Sequence, residues 1–145
     1  MRSLTIILGL AATALAMPVV EERTGAQIVH LVFHGGPAQY QMTFPADGSS
    51  YPTKDNMAVS IIDAPDFNAI YQCTFNTVGQ KTLVGSITPQ GLAQIFVGPP
   101  QPITSVSCHG TCVGTYGDCY RDGQFVGQCC NGYCAANKCR PYVPF

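Results

Sequence analysis

The amino-acid sequence predicts a mostly β protein, in which a small antiparallel sandwich or barrel is followed by a disulfide-rich module. Three observations predict this class. Short apolar or alternating segments bounded by glycine, proline and polar turn residues recur over residues 26–107, as is typical of antiparallel β-domains. Charged residues make up only 10% of the chain, well below the roughly 25% of ordinary soluble domains. Most of the 8 cysteines lie beyond residue 107, which indicates a segment held together by disulfides.

Six or seven short strands are predicted in the first domain. The turn Gly35-Gly36-Pro37 separates the first two strands and predicts a hairpin. Residues 47–53 are predicted to be a polar turn, and residues 98–102 an extended connector, because prolines inside a strand would remove ladder donors. No sustained helical periodicity is found after the first sixteen residues. The predicted strands cover residues 27–33, 38–44, 57–62, 70–75, 82–87, 94–97 and 103–107.

The first sixteen residues are predicted to be a secretory signal. A short positive start, Met1-Arg2-Ser3, precedes an apolar run over residues 4–15, and Ala14-Leu15-Ala16 is a small-x-small cleavage site. The run is shorter than the roughly 20 residues that a membrane span needs. We therefore expect a secreted, extracellular protein without stable membrane insertion, with residues 17–25 as a flexible lead-in.

The segment over residues 108–145 has too little apolar content to build a core of its own. Six of its cysteines form a series in which the third and fourth are adjacent in the sequence. The sequence alone leaves the pairing of these six open. Their spacing is Cys112-x6-Cys119-x9-Cys129-Cys130-x3-Cys134-x4-Cys139.

This spacing resembles the inhibitor cystine knots, or knottins, of cone-snail and spider toxins, plant protease inhibitors and small fungal secreted peptides. The resemblance implies that the first cysteine pairs with the fourth, the second with the fifth and the third with the sixth. The implied bridges are Cys112–Cys130, Cys119–Cys134 and Cys129–Cys139. Such a motif specifies a scaffold and no activity.

The remaining cysteines connect the two predicted parts. Once the six-cysteine pattern is satisfied, Cys73 on a predicted inner strand has only Cys108 as a partner. A free buried Cys73 and an exchange with Cys112 are the alternatives. With the bridge, a β-sandwich-like domain over residues 26–107 would be followed, almost without a linker, by the cysteine-rich module over residues 108–145.

The β-domain carries a second resemblance. Its lone mid-strand cysteine, followed by Val97-Gly98-Pro99-Pro100-Gln101-Pro102-Ile103 and by Val106-Ser107-Cys108, resembles small cysteine-rich secreted proteins of filamentous fungi. Members of that group are candidate effectors that act on a host. The resemblance implies neither a particular activity nor a binding residue.

The sequence shows no evident arrangement of catalytic side chains. His30, His34 and His109 are interpreted as packed or surface side chains. The thiols are expected to be oxidised, and Gly-x-Ser-x-Gly is absent. We therefore predict a protein that is not an enzyme and needs no cofactor. Four aspartates that could form a carboxylate pair are explained instead by local backbone hydrogen bonds in turns, namely Asp47, Asp55, Asp63 and Asp66.

Metal and nucleic-acid binding are also disfavoured. Cys108-His109-x2-Cys112 only superficially has ligand spacing, because zinc sites need paired ligands from two elements, and Cys129 and Cys130 would point in different directions. The formal net charge is −1, and neither half carries a strong field that would attract nucleic acid. We expect no metal, no nucleic acid and a monomer.

Recognition through the loops of the cysteine-rich module remains. The longest loop, residues 120–128, combines Tyr120, Arg121 and Phe125, residue types that dominate interface energetics. The alternative is that Tyr120 and Phe125 cover the disulfides, with one aromatic ring inside, and that Asp122-Gly123 is a hairpin turn. Four further residues are expected to border the loop, namely Tyr116, Tyr133, Lys138 and Arg140.

The leading functional hypothesis is a non-enzymatic, effector-like secreted protein that binds a host or extracellular protein, such as a protease or a receptor. The second is a knottin-type inhibitor of a protease or hydrolase, with Arg121 or Lys138 in the specificity pocket. The third is binding of carbohydrate such as chitin through tyrosine and phenylalanine rings, or the action of a channel-blocking or antimicrobial toxin.

Overall fold

The computed structural model describes residues 26–142. The predicted signal over residues 1–16 and the lead-in over residues 17–25 lie outside the described residues. The described chain contains short strands and one helical turn: β1 Ile28–Gly35, β2 Ala38–Pro45, β3 Asp47–Pro52, β4 Val59–Asp63, α1 Ala69–Gln72, β5 Cys73–Asn76, β6 Thr82–Ile87, β7 Ala93–Gln101, β8 Ser105–His109, β9 Tyr120–Arg121, β10 Gln124–Phe125, β11 Tyr133–Ala135 and β12 Lys138–Arg140.

Two antiparallel sheets form the larger part of the fold. One has five strands in the order β2-β1-β4-β7-β6, and the other has three in the order β3-β8-β5. The chain passes from β2 in the first sheet to β3 in the second through Ala46, whose N–H donates to the Gln27 carbonyl over 2.8 Å. The prediction of a mostly β fold with antiparallel sheets is confirmed. The hairpin predicted around Gly35-Gly36-Pro37 is also confirmed, because β1 and β2 pair in continuous register from Gly35↔Ala38.

Alternation along the strands places the core between the two sheets. Val29, Leu31 and Phe33 of β1 are buried, whereas the residues between them face outward. The Phe33 ring stacks on Tyr40 with centroids 4.6 Å apart and meets Phe75 of the other sheet edge-on at 6.4 Å. Side chains from both sheets therefore share one apolar layer.

The polar segment predicted as a turn over residues 47–53 is instead strand β3. Its residues are mostly exposed, and it pairs antiparallel with β8, as in Tyr51↔Val106. The register shifts between Asp47 and Ser50. The prediction was wrong because this edge strand owes its conformation to the backbone ladder with β8, not to an alternating apolar pattern.

The strand predicted over residues 70–75 is only partly correct. Residues 69–72 form the helical turn α1, in which the N–H of Gln72 donates to the Asn68 carbonyl over 3.0 Å. The strand β5 begins at Cys73 and lies at the edge of its sheet, so the expected inner position of Cys73 was wrong. Ile70 of the turn packs against the core and Phe75 of β5 is buried in it, so the apolar residues of two different elements imitated a single strand.

The proline-containing connector predicted over residues 98–102 is largely strand, since β7 continues to Gln101. The two prolines within β7, Pro99 and Pro100, lie where pairing is interrupted: β6 pairs with β7 only up to Gly98, and the register between β4 and β7 shifts between Phe96 and Gln101. Neither proline therefore has to donate to a ladder, which is why the strand tolerates them. The Gly98–Pro99 peptide bond is cis.

Tyr40 gives a testable consequence of this packing. Burial raises the pKa of Tyr40 to about 12 from an ordinary 10.0, and its buried hydroxyl has no hydrogen-bond partner among residues 26–142. The nearby Thr53 hydroxyl lowers the Tyr40 pKa by less than burial raises it. Thr53 Oγ1 donates its own hydrogen bond to the Ile103 carbonyl. A phenol that stays neutral in the folded state stabilises the fold fully below its ordinary pKa, and this contribution is lost as pH rises through the folded pKa.

We therefore expect the unfolding free energy to fall between about pH 10 and 12, and a Tyr40→Phe variant to show less of this decline. At neutral pH the variant should be as stable as the wild type or more so, because it removes an unpaired buried hydroxyl. Urea denaturation at neutral and alkaline pH measures both effects. Equal alkaline decline in the two proteins would contradict the assignment.

Candidate functional site

Three disulfides fix the C-terminal module, by which we mean residues 110–142, and a fourth joins β5 to β8 of the sandwich, close to the point where the module begins. Cys73 and Cys108 face each other in the register of β5 and β8, with Cα atoms 4.0 Å apart. Both this bridge and the three bridges within the module match those expected from the sequence, and no cysteine is free among the described residues. The module bridges are Cys112–Cys130, Cys119–Cys134 and Cys129–Cys139.

The bridges cross near the centre of the module. The Sγ atoms of Cys119, Cys129 and Cys139 all lie within 4.8 Å of one another. All three belong to disulfides, so none offers the thiolate that a metal would need. Besides Cys119 and Cys139, only Cys130 is a buried apolar side chain in the described part of the module. Sulfur atoms thus form its interior.

Two glutamines of the sandwich hold the module in place. The Cys112 N–H donates to Gln27 Oε1 over 2.8 Å, and Gln27 Nε2 donates to Cys130 Sγ over 3.4 Å. From α1, Gln72 Nε2 donates to the carbonyls of His109 and Thr111 over 3.2 and 3.0 Å. These bonds fix the path of the chain between β8 and the first module bridge.

A Gln72→Ala variant should loosen this attachment. Two backbone carbonyls would lose their donor, so we expect the unfolding free energy to fall by about 1 kcal/mol and backbone amides around residues 109–112 to exchange faster. Hydrogen exchange followed by mass spectrometry measures the local change. Gln128→Ala is the matched control, because its exposed side chain makes no hydrogen bond in the described chain. Equal exchange in both variants would show that Gln72 does not position the module.

Hairpin β9–β10 presents the aromatic residues predicted for binding. Its turn is Asp122-Gly123, with φ of 52° and 75°, which is the left-handed backbone of a tight two-residue hairpin. Tyr120 and Phe125 are cross-strand partners whose rings meet edge-on at 5.5 Å. They remain 40% and 57% exposed. The expectation that one aromatic ring of the module lies inside was wrong for the described residues, since sulfur fills that position.

The predicted cationic residues are only partly brought together. Asp118 accepts hydrogen bonds from Lys138 Nζ and, over 3.3 Å, from Arg121 Nη2. The Lys138 hydrogen bond, together with its charge, lowers the pKa of the Asp118 carboxyl. Arg140 turns away and donates from Nε to the Ala135 carbonyl over 3.3 Å. Tyr116 is exposed, and no ring contact joins it to Tyr120 or Phe125 in residues 26–142.

A groove that the sequence did not indicate separates the module from the sandwich. Its volume is about 510 Å³, and its walls come from α1, β6 and β7 on one side and from the module on the other. Five exposed rings or aliphatic groups stand around it, and two of them, Tyr133 and Tyr142, contact each other with ring centroids 5.6 Å apart. The exposed groups are Tyr71, Ile87, Phe125, Tyr133 and Tyr142. None of the lining residues is charged.

Histidine and aspartate side chains pair on the outer face of the five-stranded sheet. His34 Nε2 lies 2.6 Å from Asp63 Oδ2, and Gln94 Nε2 donates to Asp63 Oδ1 over 2.7 Å. His30 Nδ1 lies 2.5 Å from Asp66 Oδ2. The local-turn explanation was therefore wrong for Asp63 and Asp66, whose partners are distant in sequence.

Local backbone hydrogen bonds are confirmed for the other two aspartates, although Asp47 lies in strand β3 and not in the predicted turn. Asp47 accepts from the Ser49 N–H over 2.9 Å, and Asp55 accepts from the Met57 N–H over 2.8 Å. The four carboxylates thus do not form a common cluster: two accept hydrogen bonds from backbone N–H groups two residues later, and two bind histidines.

Comparisons of the chain with protein-family models, curated proteins and solved structures gave no match. Within residues 26–142, no helix has the length and apolar character needed to cross a membrane. The described chain belongs to the class of small, cysteine-rich, disulfide-bonded, mostly β proteins.

Proposed function

We propose that this chain is a secreted, non-enzymatic interaction protein that binds another extracellular protein, in the manner of an effector acting on a host. The surface proposed for binding is the aromatic hairpin, which we define as Tyr120, Arg121 and Phe125 on β9 and β10. Secretion is supported by the signal-like sequence over residues 1–16 and by the oxidised state of the cysteines.

The observation that carries the proposal is the exposure of these side chains on a rigid support. Phe125 is 57% exposed, and the interior of the module to which it belongs is already filled by cysteines, so its ring is not needed as core. Arg121 is also exposed, at the turn of the hairpin. Tyrosine and arginine are enriched among the residues that dominate interface energies, and a preorganised backbone reduces the entropy that is lost on binding.

The proposal is tested by replacing the aromatic hairpin in one variant, Tyr120→Ser/Arg121→Ala/Phe125→Ala. Immobilised wild-type protein first captures partners from extracellular fluid of candidate host tissue, identified by mass spectrometry. The variant should keep all four disulfides, while its affinity for a purified partner falls by about thirtyfold or more. Val78→Ser/Lys81→Ala on the exposed sandwich surface is the control. Unchanged affinity in the hairpin variant would move the site elsewhere.

Inhibition of a protease is the second candidate. The Arg121 side chain is 66% exposed on a two-residue hairpin of the disulfide-fixed module, so it can enter a cleft that prefers basic residues. Asp118 binds both side chains, but Lys138 is the less exposed of the two, at 45%, and is therefore less suited to this role. Assays with trypsin-like and subtilisin-like enzymes at micromolar protein separate this candidate from simple binding, and loss of inhibition in Arg121→Ala would identify the contact residue.

A further inference from the structure

The free edge of β6 lies beside the groove. β6 is the last strand of the five-stranded sheet and pairs only with β7, in continuous register from Thr82↔Gly98 to Ile87↔Ala93. The strand contains no proline, no charged residue and no bulge. Natural proteins commonly protect a sheet edge with one of these devices, so this edge is open to pairing.

The hydrogen-bond pattern shows which backbone groups face outward. The Ala93 carbonyl accepts from the Ala64 N–H over 2.9 Å, so Ala93 bonds toward the β4 side and not toward β6. The Thr88 N–H donates to the Leu92 carbonyl over 2.9 Å. Ile87 and Ala93 are therefore a pair without mutual hydrogen bonds. Hydrogen-bonded and non-hydrogen-bonded pairs alternate along an antiparallel ladder. The backbone N–H and C=O groups that face away from β7 thus belong to every second residue of β6, namely Leu83, Gly85 and Ile87.

No other group in the described chain bonds to these outward-facing positions. Gly85 and Ile87 also line the groove, together with Tyr71 of α1 and Phe125 of the aromatic hairpin. An added strand would therefore place alternate side chains against the rings of the groove. The absence of charge among the lining residues favours an uncharged occupant.

We propose that the groove binds an extended, uncharged polypeptide segment of a partner protein, which adds to β6 as an antiparallel or parallel strand. This inference rests on the proposed function, since it names the partner's contacting chemistry. A polypeptide offers donors and acceptors at the same repeat as Leu83, Gly85 and Ile87. A saccharide could stack on Tyr71, Phe125 or Tyr133 but lacks that regular backbone repeat.

Gly85 provides a matched pair of variants. Gly85→Pro would remove an outward N–H and leave the β6–β7 ladder intact, because the residue lies in a non-bonded pair. Gly85→Ala keeps that N–H, and its Cβ would meet Ile70 Cγ1 at 3.5 Å, an ordinary contact. Gln41→Pro, on the other free edge of the same sheet, controls for a general effect of proline.

The experiment uses the full oxidised chain and a phage-displayed library of short linear peptides. Peptides enriched on the wild type should be uncharged, with apolar residues at alternate positions, and one of them is synthesised for affinity measurements. We expect Gly85→Pro to weaken binding by about tenfold or more, and Gly85→Ala and Gln41→Pro by less than about twofold. Hydrogen exchange should show that the peptide protects the amides of Gly85 and Ile87.

N-methylated peptides provide a second test if Gly85→Pro fails to fold. Methylating the peptide's own backbone nitrogens on the β6-facing side should then abolish binding to the wild type, whereas methylating the other side should not. The inference is overturned if no peptide is enriched, if Gly85→Pro binds as Gly85→Ala does, or if a chitin hexasaccharide and no peptide perturbs the groove. A dimer that Gly85→Pro abolishes would overturn it too, by assigning the edge to a second copy.

The two proposals fail in different ways. If the Tyr120/Arg121/Phe125 variant loses a captured partner while Gly85→Pro keeps it, binding by the aromatic hairpin stands and strand addition is wrong. If Gly85→Pro loses peptide and partner while a Tyr120→Ser/Arg121→Ala variant keeps both, the groove is the site and the hairpin only borders it. If neither the hairpin variant nor Gly85→Pro loses binding, both proposals are wrong.

Discussion

A Cys129→Ser variant is expected to leave the C-terminal module unfolded while the sandwich stays folded. Loss of the Cys129–Cys139 bridge costs about 2–5 kcal/mol. In the described part of the module, the buried apolar side chains are cysteines alone, so nothing else in its interior offsets that loss. Hydrogen exchange should show rapid exchange over residues 112–140 and retained protection in β1, β4 and β7.

A Cys73→Ala/Cys108→Ala variant is the matched control for this prediction. It removes the bridge between β5 and β8 and should lower the stability of the sandwich by about 3–4 kcal/mol, yet peptide mapping should still recover the three module bridges. If the Cys129→Ser protein kept protected amides in the module, the disulfides would not be its main support.

A Phe33→Ala variant should destabilise the sandwich by about 3–5 kcal/mol. The Phe33 side chain is fully buried, and its ring contacts Tyr40 within its own sheet and Phe75 in the other. Alanine would leave a cavity where the two sheets meet. Urea denaturation of the oxidised protein measures the change in unfolding free energy.

Phe96→Ala on the opposite face of the same sheet provides the comparison. The Phe96 side chain is 41% exposed, so its loss should change the unfolding free energy by less than about 1 kcal/mol. Similar losses in the two variants would mean that the apolar layer between the sheets is not the main source of stability.

The features that sequence could predict depend on local pattern or cysteine spacing. β6 begins and ends as predicted, because its apolar residues are bounded by polar and turn residues. The four bridges agree with the expectation from cysteine spacing and from the pairing left for Cys73. The hairpin turn at Asp122-Gly123, which the sequence analysis gave as part of the alternative to a binding loop, is present as well.

The features that escaped prediction depend on partners distant in the sequence. β3 is extended because β8, some fifty residues later, pairs with it. His34 and Asp63 bind each other over a separation of 29 residues. The groove joins Ile87 of β6 to Tyr133 of β11, and neither residue carries a local signal that it will face the other. Short local patterns in a single sequence do not indicate which distant residues will contact each other in the folded protein.

The attachment through Gln27 has a consequence for the order of folding. The Gln27 hydrogen bond to Cys130 spans 103 residues, whereas β1 and β2 are joined by a two-residue turn. Closing a longer loop costs more entropy, and contacts between residues far apart in the sequence slow folding. Sheet formation should therefore precede docking of the module, and oxidative refolding should pass through a species with native sheets, an exposed β6 edge and no groove. A partner that needs both walls would bind only after the last disulfide has formed.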